Sequence, residues 1–129
     1  MLLPRLRSDL VDLIEAALDG TLDRFSAAWD ERAAVCVILA SGGYPGPYEK
    51  GKPIRGLEVA AGEKDVMVFH AGTAVNDGGI VTSGGRVLGV TALGADLRAA
   101  RDRAYAAAGR IQFEGVRCRT DIAAKALVD

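Results

Sequence analysis

Ala74-Val75-Asn76-Asp77-Gly78-Gly79-Ile80-Val81, followed by Thr82-Ser83-Gly84-Gly85-Arg86-Val87-Leu88-Gly89-Val90-Thr91-Ala92-Leu93, is the stretch that decides the fold. Asn76-Asp77-Gly78-Gly79 between two apolar pairs has the turn chemistry of a tight hairpin, because these residues tolerate the positive φ angles that such a turn needs. A hairpin makes its strands antiparallel neighbours. After the second glycine pair, Arg86 to Leu93 is apolar on both faces apart from Thr91, as in a strand covered on both sides.

Upstream, Val66-Met67-Val68-Phe69 reads as a short strand, and Ala33 to Ala40 as a continuous apolar strand in the interior of a sheet, with Cys36 a small core hydrophobe. Ser41 to Gly62 holds Pro45, Pro47 and Pro53 and is the longest irregular segment, the kind of loop that often carries function. Downstream, Asp96 is placed to cap a helix with Leu97, Ala100, Ala104, Ala107 and Ile111 on one side and Arg98, Arg101, Asp102 and Arg103 on the other. Thr120 or Asp121 starts a short terminal helix carrying Ile122, Ala126 and Leu127. At the other end, Ser8 caps a first helix with one apolar stripe through Leu6, Leu10, Leu13, Ile14, Ala17 and Leu18, ending at Gly20. Thr21 to Arg32 reads as loop or a short helical turn. Helices and strands in this order, with hairpin connections, predict an α+β fold: a mostly antiparallel sheet with helices packed on it.

The chain has 129 residues, half of them hydrophobic and 5% aromatic, so one aliphatic core is expected. A net charge of -1 gives no basic excess to draw it to nucleic acid or to an anionic membrane. The sequence has no run of the roughly 18 apolar residues a spanning helix needs, and a cytoplasmic protein is expected. Cys36 and Cys118 lie far apart without a metal-binding spacing, so reduced thiols are expected.

Gly84-Gly85-Arg86 is the strongest candidate site, since glycine lets the backbone approach a ligand while a guanidinium grips phosphate oxygens with two prongs. A plain turn followed by a snorkelling arginine explains the same residues. Gly42-Gly43-Tyr44 is either a turn after a strand or a rim facing a ligand. His70, the single histidine, is a candidate general base or a hydrogen-bonded strand end. Gly46-Pro47-Tyr48-Glu49-Lys50-Gly51-Lys52 looks like a phosphate loop but fails as one: Pro53 stands where a hydroxyl should hold magnesium, and no helix begins there. The adjacent Asp30 and Glu31 read as solvated. No catalytic residue and no metal ligand is assigned.

Arg5-Leu6-Arg7-Ser8-Asp9-Leu10, Trp29-Asp30, Ser41-Gly42-Gly43-Tyr44-Pro45-Gly46 with Tyr48, Phe69-His70-Ala71-Gly72-Thr73, Gly84-Gly85-Arg86-Val87-Leu88 with Val90-Thr91-Ala92, and Arg119 with Asp121-Ile122 follow one another in the order seen in one ligase family. This series resembles the C-terminal part of phosphoribosylamine-glycine ligase, a member of the ATP-grasp superfamily, and Pro47 departs from its pattern, which carries an acidic residue there. The resemblance implies that residues 1–32 end the ATP-grasp region and 33–129 form the C-terminal domain. It implies a full-length enzyme that uses ATP and magnesium in purine synthesis, with neither expected to bind this stretch alone. The phosphate of phosphoribosylamine would meet Arg86, with Gly84 and Gly85. Gly42, Gly43, Tyr44, His70 and Thr73 would line the same cleft. The missing ATP-grasp lobes would be the protein partner, and their absence would expose apolar surface that favours self-association. A stand-alone phosphate-binding or interaction module without catalysis is the alternative.

Overall fold

The computed structural model describes residues 2–127. Its strands are β1 (Ala33–Ala40), β2 (Val66–His70), β3 (Thr73–Asn76), β4 (Gly79–Thr82) and β5 (Arg86–Gly94), and its helices are α1 (Leu10–Leu18), α2 (Leu57–Ala61) and α3 (Leu97–Ala108). One antiparallel sheet has the order β1-β5-β2, and β3 pairs with β4 as a separate hairpin. The fold is the expected α+β arrangement, with α3 packed on one face of the sheet.

The hairpin forms where its chemistry puts it. Asn76 pairs with Gly79, and the two residues between them both have positive φ, Asp77 at 42° and Gly78 at 85°. Residues 51–54 run beside β4, with Gly51 and Ile54 donating backbone N–H groups to Thr82 and Ile80.

Residues opposed across an antiparallel ladder share a face. Val35, Val37 and Leu39 of β1 oppose Ala92, Val90 and Leu88 of β5, and all six are buried beneath α3. The helix contributes Ala100, Ala104 and Ala107, each fully buried, as its expected inner stripe, and Asp96 accepts a hydrogen bond from the Ala99 N–H at 2.7 Å as its cap. Small side chains on α3 let the helix lie close to the sheet.

The other face is only partly covered. Cys36 is half-buried there, and Ile38, Gly89 and Phe69 form a row across the three strands in which Ile38 is 41% and Phe69 44% exposed. β1 is therefore an edge strand with one covered face, not the interior strand its apolar run predicted. The interior position belongs to β5, buried along its whole length after Arg86. Three further expectations are corrected. Asp9 rather than Ser8 caps α1, accepting from Val11 N–H at 2.7 Å, while the Ser8 hydroxyl accepts from Ala28 N–H. The irregular 41–62 segment contains α2. The terminal helix is a single 3-10 turn, Ala124–Ala126, whose lead-in Ala123 has φ 61°. The apolar stripe of α1 is exposed, with Leu18 81% accessible.

Asp30 is buried rather than solvated. Arg32 clasps its carboxylate through Nε and Nη2 at 3.0 and 2.8 Å, Arg7 donates from the N-terminal segment at 3.0 Å, and Arg32 reaches on to Asp65 at 2.7 Å. Arg103 of α3 also meets Asp65 and donates to the Leu93 carbonyl. The side-chain hydrogen bond from Arg32, aided by its backbone N–H, holds the Asp30 carboxyl well below the usual carboxylate range, and Arg32 lowers Asp65 in the same way. A carboxylate depressed on folding stabilises the native state above its unfolded pKa of roughly 4, and that stability is lost as pH falls through the lower folded value. The unfolding midpoint is thus expected to drop as the chain is acidified below about pH 4. Asp30→Asn should start from a lower midpoint and lose less over the same range, measured by circular dichroism melts. Equal acid slopes in the two chains would show that the carboxylate carries no folding energy.

Candidate functional site

The ladder between β1 and β5 breaks near its end. Leu39 opposes Leu88, but Ala40 opposes Arg86, so one extra residue, Val87, is accommodated in β5. Strict alternation back from Val90 and Leu88 would aim residue 86 at the helix face. The bulge turns Val87 into the core, where it is fully buried, and sends Arg86 to the open face with Ile38. The arginine thereby faces a hollow of about 400 Å³ formed with Ile38, Tyr44, Ala71, Gly85 and Leu88.

Arg86 is exposed, and among the described residues its side chain has neither an ion-pair nor a hydrogen-bond partner. The other residues that line the hollow are aliphatic or glycine apart from Tyr44. A free guanidinium beside apolar walls can take an oxyanion as a forked, charge-assisted hydrogen-bond pair.

Tyr44 arrives from the loop after β1. Gly43 precedes it with φ 95°, and a Cβ there would lie 2.1 Å from the Pro47 carbonyl oxygen, so the turn requires glycine. Tyr44 N–H donates to the Ser41 carbonyl at 3.1 Å, and its ring meets that of Tyr48 edge-on at 6.3 Å. Ser41 ties this loop to the glycine pair: its N–H donates to the Gly85 carbonyl at 2.8 Å and its hydroxyl to the Gly84 carbonyl at 2.8 Å.

The remaining predicted residues lie elsewhere. The Gly84 N–H is committed to the Gly72 carbonyl at 3.1 Å, so it is not presented to a ligand. Gly42 packs against Gly115 and borders a separate, smaller hollow with Ser41, Glu49, Lys52 and Glu114. His70 opposes Leu88 on the helix side and lines a hollow beside α2 and the hairpin tip, its Nδ1 3.0 Å from the Thr73 hydroxyl. Structure thus joins Tyr44, Gly85 and Arg86 at one hollow and sets His70 and Thr73 on the other side of β2. Ala71, from the Phe69-to-Thr73 run, belongs to the hollow, as does Ile38, which reads in the sequence as an ordinary apolar residue. Lys52 of the phosphate-loop look-alike is held by Glu49 at 2.6 Å and Glu114 at 3.0 Å.

No helix among the described residues is long and apolar enough to cross a membrane. Comparison with known proteins returns the family model described as "Phosphoribosylglycinamide synthetase, C domain", matched over residues 34–125. A phosphoribosylamine-glycine ligase of Caldanaerobacter subterraneus is 51% identical over 123 residues, covering 95% of this chain and 29% of that protein. One from Pseudomonas aeruginosa is 53% identical over 123 residues, covering 95% and 28%. The crystal structure of the phosphoribosylamine-glycine ligase of Thermotoga maritima superposes with a TM-score of 0.69 at 37% identity, over 85% of this chain and 27% of that one. The chain spans less than a third of the length of these relatives. It belongs to the phosphoribosylglycinamide synthetase C-domain family.

Proposed function

We propose that this chain serves as the substrate-closing part of a ligase that joins phosphoribosylamine to glycine, giving glycinamide ribonucleotide at the expense of ATP in cytoplasmic purine synthesis. The observation that carries the reading is the Arg86 guanidinium, without a partner among the described residues and turned by a strand bulge into an open hollow. Residues 1–32 are assigned to the end of the ATP-grasp region and 33–129 to the C-terminal domain.

In this reading Arg86 binds the phosphate of phosphoribosylamine and so fixes the amine end for attack in the cleft that the remaining lobes complete. Fixing the position of a reacting group converts part of the barrier into binding. Magnesium and ATP are expected to be held by the remaining lobes of the ligase. Among the described residues no three His, Cys, Asp or Glu side chains gather as a metal site, and Lys52 is already neutralised by Glu49 and Glu114. No step by this chain is routed through the nucleotide. Acid-base catalysis is likewise assigned to none of its residues.

Supplying the chain in trans to a ligase truncated before this domain tests the proposal. Glycinamide ribonucleotide should form only when both parts are present, and light scattering should show the chain alone self-associating through the exposed apolar stripe of α1 until the lobes are added. Turnover by the truncated ligase without this chain would overturn the reading. So would restoration that does not depend on Arg86.

A further inference from the structure

Gly85 has an ordinary negative-φ backbone, so nothing in its conformation calls for glycine. Its side is instead occupied by the Tyr44 ring: a Cβ at Gly85 would lie 2.1 Å from Tyr44 Cδ2, 2.6 Å from Cε2 and 3.0 Å from Cγ. The ring is laid against the strand entry immediately before Arg86 and meets the Tyr48 ring edge-on. Tyr44 nevertheless stays 43% exposed, facing the hollow that Arg86 opens onto.

From this arrangement we infer that Gly85 is a positioning residue which seats Tyr44, and that the seated ring is the specificity wall selecting a sugar monophosphate. The inference rests on the reading of Arg86 as the phosphate contact. One guanidinium matches one phosphate monoester, and among the residues of the hollow there is no second cation to receive the further charges of a di- or triphosphate. The ring and Ile38 offer the remaining surface, which suits the uncharged face of a ribose and gives nothing to inorganic phosphate. Amphipathic aromatic rings provide this kind of contact with little loss of side-chain freedom.

The collision at Gly85 falls on side-chain rather than backbone atoms, so Gly85→Ala forces the Tyr44 ring off its seat. Calorimetric titration of the 129-residue chain with ribose 5-phosphate and, separately, with inorganic phosphate reads the consequence. Gly85→Ala is expected to lower the preference for the sugar phosphate about five- to tenfold, the scale of one well-placed aromatic contact. Tyr44→Ala should lower it equally, and the double variant Gly85→Ala/Tyr44→Ala should be no worse than Tyr44→Ala, because the glycine acts only through the ring. Losses that add in the double variant, or an unchanged preference in Gly85→Ala, overturn the inference while leaving the Arg86 contact standing. If Arg86→Ala binds ribose 5-phosphate as tightly as the parent chain, or the parent binds neither probe, the functional reading falls and this inference with it.

Discussion

Arg86→Ala, introduced into a full-length ligase carrying this domain, is expected to lower kcat/KM for phosphoribosylamine about ten- to a hundredfold while leaving the KM for ATP within about twofold. A hydrogen-bonded charge contributes roughly 1.5–3 kcal/mol, and every 1.4 kcal/mol is a factor of ten. Because the contact holds a part of the substrate distant from the reacting amine, the loss should appear first in KM and spread to kcat as positioning fails. Arg86→Lys should recover only part of the loss, since an ammonium cannot reproduce the two-pronged fork. Steady-state kinetics with each substrate varied in turn makes the distinction. An equal loss for ATP and phosphoribosylamine would show that the substitution disturbs the fold or the nucleotide side, not a phosphate contact.

The largest effect on stability is expected at the end of β5. Gly94 lies where α3 turns back over the sheet, and a Cβ there would be 2.2 Å from Ala100 N and 2.7 Å from Ala99 C. Both are helix backbone atoms rather than side-chain atoms as at Gly85. Gly94→Ala must therefore lift α3 from the layer of Val35, Val37, Val90 and Ala92 that it covers. Overpacking of a close-packed interior costs typically 1–3 kcal/mol, and this site is expected at the upper end. At about 3 kcal/mol, a chain of this length should melt roughly 10 °C lower. Gly89→Ala is the matched control on the same strand, since its Cβ would meet Cys36 Sγ at 3.4 Å, an ordinary contact on the open face. It should change stability by less than about 1 kcal/mol. Similar melting of the two variants would contradict the close helix-sheet contact on which the core is built.

What the sequence revealed and what it concealed divide along physical lines. The hairpin was legible because Asn76 to Gly79 carry the conformation locally, and α3 because its alanines recur with the helical period. The place of β1 was not. A continuous apolar run reads as covered on both faces, yet Cys36 and Ile38 lie on a face that the described residues leave partly open. Asp30 looked solvated because the partners that bury it are scattered: Arg7 stands 23 residues before it, and Arg32 is itself braced by Asp65, 33 residues farther on. Of the glycine pair, Gly85 borders the hollow that Arg86 faces, but the pair is not arranged as its spacing suggested. Gly84 spends its N–H on Gly72, and the open side of Gly85 makes room for Tyr44. The outward turn of Arg86 depends on one extra residue in a ladder, which alternation alone counts the wrong way.

Co-crystallisation of the chain with ribose 5-phosphate tests the central claim most directly. The phosphate is predicted within hydrogen-bond reach of the Arg86 guanidinium, on the sheet face that carries Ile38, with the sugar against the Tyr44 ring. A phosphate bound in the His70 hollow or beside Lys52, with Arg86 left in solvent, would contradict it.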